Sequence, residues 1–142
     1  MEKSRKYLKF MSEIILICLA FSFIRSILEV YLINVSLNNI PDSYIITAKL
    51  VICVIYTVFY IPQVYIGVKG IKVAKNPDSS KAHIVWAVIF LAFAVLGAIS
   101  SVWDMINTGD IVGSILGLIN GVIDIALYFF YVRYAKQVLA VA

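Results

Sequence analysis

Four long apolar stretches, at about 10–36, 44–68, 84–103 and 111–132, take up most of this 142-residue chain. The hydrocarbon core of a bilayer is about 30 Å thick, and a crossing helix needs about 20 mostly apolar residues. Each stretch reaches that length. The expected fold is an all-α integral membrane protein, with four transmembrane helices arranged as two antiparallel hairpins. What remains outside the spans is too short for a second core, so 1–142 reads as a single four-helix domain. Composition agrees. Hydrophobic residues are 63% of the chain and charged residues 14%, where a soluble domain carries about 45–50% and 25%.

Charge then orients the spans. Lys3, Arg5, Lys6 and Lys9 precede the first, Lys69, Lys72, Lys75 and Lys81 lie in the 69–83 connection, and Arg133 and Lys136 follow the fourth. The 37–43 and 104–110 connections have no Lys or Arg and carry Asp42, Asp104 and Asp110. Positive charge in short loops marks the cytoplasmic side. Both termini and the middle loop are therefore expected inside, in a multi-pass protein of the cell membrane. The net charge of +4, distributed this way, speaks for topology and against nucleic acid. A basic inner rim also attracts anionic lipid, at about 1 kcal/mol per Lys or Arg near the surface. Trp86 and Trp103 bracket the third span, and Tyr7, Tyr65, Tyr128, Tyr131 and Tyr134 gather near the basic side, as interfacial aromatics do. A cleavable signal peptide competes for the first stretch, but Ile27, Leu28, Val30, Tyr31, Leu32 and Ile33 prolong it into a span.

Metal and redox chemistry find little support. Cys18 and Cys53 sit inside spans at depths differing by roughly 12 Å, too far apart for a disulfide. There is no CxxC or HExxH, and the one histidine, His83, reads as an interfacial residue. No cofactor is expected. Asn34-Val35-Ser36 matches a glycosylation acceptor but abuts the membrane. The turn formers Asn76-Pro77-Asp78-Ser79-Ser80 separate the two hairpins.

Packing signals lie in the last two spans. Gly113, Gly117 and Gly121 recur every four residues, and Ala94, Gly97, Ala98 and Ser101 form a matching stripe. Small residues at this spacing let helices approach closely in lipid. The stripes are expected to pack the third span on the fourth within one subunit. The alternative is a homo-oligomer built through the Gly stripe.

Ionisable groups inside spans are the main functional clue, because each is costly in hydrocarbon. Arg25, Glu29, Lys49 and Asp124 are the candidates. Glu29 and Lys49 both lie about 30 Å from the inner rim, at equal height on neighbouring helices, so they are expected to pair. Asp124 stands roughly 13 Å above Arg133, close to the midplane. Asn120 is one turn away on the same face. Arg25 is the one cation within range of Asp124, about 5–10 Å higher. If the two do not pair, Asp124 is a protonatable group at mid-membrane. Pro62 is expected to bend the second span beside Tyr60 and Gln63.

Two function classes fit, and the first is the expectation. It is a non-catalytic membrane module: a binding partner, an accessory subunit, or a protective protein such as an immunity factor. The second is an oligomeric proton- or ion-coupled transporter or channel using Asp124. An integral-membrane enzyme comes third, since the midplane offers one acid and one amide.

Overall fold

The computed structural model describes residues 2–32 and 42–141. The Asn34-Val35-Ser36 tripeptide and most of the 37–43 connection lie outside them. The chain forms four helices, α1 (Glu2–Leu32), α2 (Asp42–Lys75), α3 (Ala82–Thr108) and α4 (Ile111–Leu139). All four are long and apolar enough to cross a membrane.

The helices outrun the apolar stretches, mainly toward their basic ends. α1 starts at Glu2, α2 continues through Lys69 and Lys72 to Lys75, and α4 continues through Arg133 and Lys136 to Leu139. Hydropathy marks where lipid ends, whereas a helix ends where its hydrogen-bond ladder fails. Lys, Arg and Glu are good helix formers. Glu2 and Glu13 also support the first turns of α1 through i,i+4 pairs with Lys6 at 3.4 Å and Lys9 at 3.7 Å, each contributing a few tenths of a kcal/mol at most.

Pro62 lies inside α2 without ending it. Pro77, two residues beyond the end of α2, cannot donate to the ladder and closes it. The basic loop therefore shrinks from the expected 69–83 to the non-helical stretch 76–81. Asp78 organises that loop. It accepts from Lys69 Nζ at 2.7 Å and from the Ser80 backbone N–H at 2.9 Å. The Lys69 ammonium first, and the Ser80 N–H second, hold its carboxyl below the usual carboxylate range. At the other end of the molecule α3 and α4 are joined by Gly109 and Asp110. Gly109 has φ 69°, the left-handed region that glycine enters without strain. Asp110 caps α4 by accepting from the Gly113 N–H at 3.1 Å.

α1 packs closely on α2, and α3 on α4. Ser26 Oγ meets Tyr60 Oη at 3.2 Å, and the Phe23 and Tyr60 rings touch edge-on at 5.4 Å. Farther along, Leu16 covers Gly67 and Ser12 covers Gly70. A Cβ built on Gly121 would come within 3.2 Å of Ala98 Cβ, and one on Gly117 within 2.9 Å of Ser101 Oγ.

The pairs are tied together toward the basic end. Tyr7 stacks on Tyr134 at 5.1 Å, Ser4 Oγ donates to Gln137 at 2.7 Å, and Phe59 meets Phe90 edge-on at 5.9 Å. Arg5 reaches across from α1 to donate to the last carbonyls of α2, Ala74 at 2.8 Å and Lys75. Carbonyls at a helix C-terminus lack partners within the helix and carry partial negative charge, so a guanidinium suits them. Among the described residues, all buried side chains except Val30 and Ser114 lie between the level of Asp124 and this end.

Candidate functional site

The looser interior beside Asp124 holds two cavities. The first, about 260 Å3, is bounded by α1 at Cys18 and Ser22, by α2 at Tyr56 and Tyr60, and by α4 at Leu127. The second, about 360 Å3, is bounded by α3 at Phe93, Ala94 and Gly97, and by α4 at Asn120 and Gly121. Phe59, Gln63, Asp124 and Tyr128 line both and form the wall between them. Together the cavities make a cleft with one carboxyl on its dividing wall. Asp124 is exposed to this space. Among the described residues, none gives it a hydrogen bond or a salt bridge. Its neighbour Tyr128 donates instead to Gln63 Oε1 at 3.2 Å.

The cleft is closed on its basic side by a buried layer centred on Tyr131. Its hydroxyl lies 2.9 Å from the Ile66 carbonyl and 2.7 Å from His83 Nδ1, and His83 Nε2 lies 3.1 Å from the Ser80 carbonyl. Both side chains are almost completely enclosed. With the hydroxyl donating to Ile66, a neutral imidazole donates in one of its two contacts, and which one depends on its tautomer. Ser12 closes the layer from α1, donating to the Leu8 carbonyl at 2.7 Å. Every buried side-chain polar atom among the described residues has a partner, as burial demands.

The residues singled out from the sequence are distributed unequally. Asp124 and Asn120 line the cleft. Arg25 lies on Glu29 one turn away in α1, at 2.9 Å, with both side chains more than half exposed. The guanidinium is thus engaged within its own helix rather than on Asp124. Lys49 is half-buried on α2. Gly117 and Gly121 are covered by Ser101 and Ala98 of the same chain, while Gly97 faces open space where a Cβ would point. Gly113 serves the Asp110 cap. Cys18 and Cys53 are both free thiols.

His83, Tyr128 and Tyr131, expected near the basic side, are enclosed in the protein core. One signal marks the two tyrosines. Asn120, Asp124, Tyr128, Tyr131 and Ala135 recur at intervals of three and four residues, so they form one stripe down α4. Gln63, beside Pro62, was legible only as a neighbour of the expected bend.

Among the described residues, no three His, Cys, Asp or Glu side chains come together as a metal site would require. Compared with known proteins, the chain matches no family model, no curated protein and no solved structure. Fold and site together define a helical protein of four membrane-length apolar helices with a polar cleft among them.

Proposed function

We propose that this chain is a multi-pass protein of the cell membrane and a non-catalytic binding module whose site is the cleft beside Asp124. Its helices form two antiparallel hairpins in the bilayer, with the termini and the 76–81 loop cytoplasmic. The observation that carries the reading is the Asp124 carboxyl, held on the wall shared by two cavities and engaged by no described partner. A carboxyl in a spanning segment costs free energy, and such groups ordinarily face a bundle interior and serve a function. One carboxyl, two amides and several phenols suit recognition by charge and hydrogen bonding. The basic end supports the orientation. Arg5, Lys6, Lys9 and Lys75 surround a shallow cavity there, with Glu2 among them, and such a rim meets anionic headgroups.

Permeation is the second reading, and the position of Asp124 favours it. An oligomer would place its seam away from Gly117 and Gly121, which already pack on α3.

The cleft itself is tested through Cys18, which lines the first cavity. In a Cys53→Ala background, a membrane-impermeant maleimide applied from outside should alkylate Cys18, because the Tyr131 layer closes the other side. Labelling only after denaturation would show that no aqueous cleft exists and would overturn the reading.

A further inference from the structure

We infer that the cleft binds a small monovalent organic cation, an amine or quaternary ammonium with an apolar body, held between the Asp124 carboxylate and the surrounding aromatic faces. This deepens the binding-module reading and rests on it. The ligand class follows from what the wall offers and what it lacks. Tyr56, Phe59, Tyr60 and Tyr128 line the first cavity together with Asp124, and Phe90 and Phe93 extend the aromatic surface into the second. Aromatic faces carry negative quadrupole charge and attract cations within about 6 Å. Neither cavity is lined by Lys, Arg or His, and Arg25, the cation expected from the sequence to approach Asp124, is engaged by Glu29.

A site with one ionisable carboxyl, aromatic walls and no cationic side chain selects its ligand by sign, because a bound cation favours the ionised carboxylate. Anions would meet the carboxylate without compensation. Neutral solutes would lose the charge interaction, which is the largest difference this wall can make. Inorganic cations are strongly hydrated, and one carboxylate with neutral amide and phenol oxygens returns little charge for that hydration, whereas metal-ion affinity rises with ligand charge count. An alkylammonium binds its water less strongly and gains from ring contact, as in the aromatic cages that recognise methylated ammonium groups. A compact body fits, since the first cavity alone offers about 260 Å3.

The test uses the full chain in lipid nanodiscs, with phenyltrimethylammonium as probe and benzenesulfonate as its oppositely charged counterpart. Two readouts are taken on the Cys53→Ala protein: equilibrium binding of radiolabelled probe, and protection of Cys18 from maleimide. Phenyltrimethylammonium should bind saturably and slow Cys18 alkylation, and benzenesulfonate should do neither. Asp124→Asn keeps the side chain's shape and should weaken binding roughly ten- to hundredfold. Phe59→Leu, which removes a ring from the shared wall, should weaken it about three- to tenfold. Equal binding by the Asn variant, or equal protection by the sulfonate, would overturn the inference. Cys18 open to maleimide but unprotected by the cation would sink the cation site and leave the cleft reading standing. Cys18 closed to maleimide would sink both.

Discussion

The Tyr131 hydroxyl lies within hydrogen-bond distance of both the Ile66 carbonyl and His83 Nδ1, so one oxygen joins α4 to α2 and α3. It does so in an almost fully enclosed position, where an unpaired polar atom costs about 1–3 kcal/mol. Tyr131→Phe keeps the ring and its edge contact with His83 at 5.9 Å but strips one ring nitrogen of its partner. The variant should therefore lower stability by about 1–3 kcal/mol, read as a fall in the denaturation midpoint in mixed micelles. Arg25→Gln should change it by less than about 1 kcal/mol, because the Arg25–Glu29 pair is exposed and such pairs contribute little. A larger loss at Arg25 than at Tyr131 would reverse the ranking of the two polar groups. Asp124 was legible from the sequence because an acid is conspicuous among apolar residues. His83 and Tyr131 were not, because either residue is equally at home in the headgroup region, and only the packed helices show them enclosed.

Between helices, the small-residue stripes behave differently along their length. Gly121 has Ala98 backbone atoms at 3.4 and 3.5 Å from where its Cβ would sit, whereas Gly97 has nothing within 4 Å. In lipid, helix association depends on such close packing. Gly121→Leu would force α3 and α4 apart and should cost about 1–3 kcal/mol, as overpacking does. Gly97→Ala should be neutral or stabilising by up to about 1 kcal/mol, since alanine favours the helix. Thermal unfolding in nanodiscs separates the two, and a destabilising Gly97→Ala would show that the second cavity is closed beside that residue. The pairing of stripes was readable from residue spacing. Helix ends were less so, because apolar runs report the thickness of lipid while the ladder persists until Pro77 or Gly109 interrupts it. The placement of contacts between α1/α2 and α3/α4 was hidden as well. α1 and α2 show no periodic stripe to indicate which face turns inward.

Across the molecule, the helices are 27 to 34 residues long, or about 40 to 51 Å at 1.5 Å per residue. A hydrocarbon core of about 30 Å leaves at least a turn of each outside it. The excess of α1, α2 and α4 falls where Lys and Arg concentrate, while α3 extends mainly past Trp103 to Thr108, and Arg5 and the Tyr7–Tyr134 stack hold the basic end together. Long cationic side chains there can reach headgroups while their stems stay in apolar surroundings. This makes the basic end the expected cytoplasmic face, and the Tyr131 layer the cleft's inner closure. Lys81 immediately precedes α3 and Asn107 lies in its last turn, so the two mark its opposite ends. With Cys18 and Cys53 replaced, Asn107→Cys should react with an impermeant maleimide in intact cells, and Lys81→Cys only after permeabilisation. Reaction of both from one side would mean that α3 does not cross. Reaction of Lys81→Cys alone would invert the molecule. Because the basic ends of all four helices meet in one place, either result would reassign the whole bundle, and with it the side from which a ligand approaches Asp124.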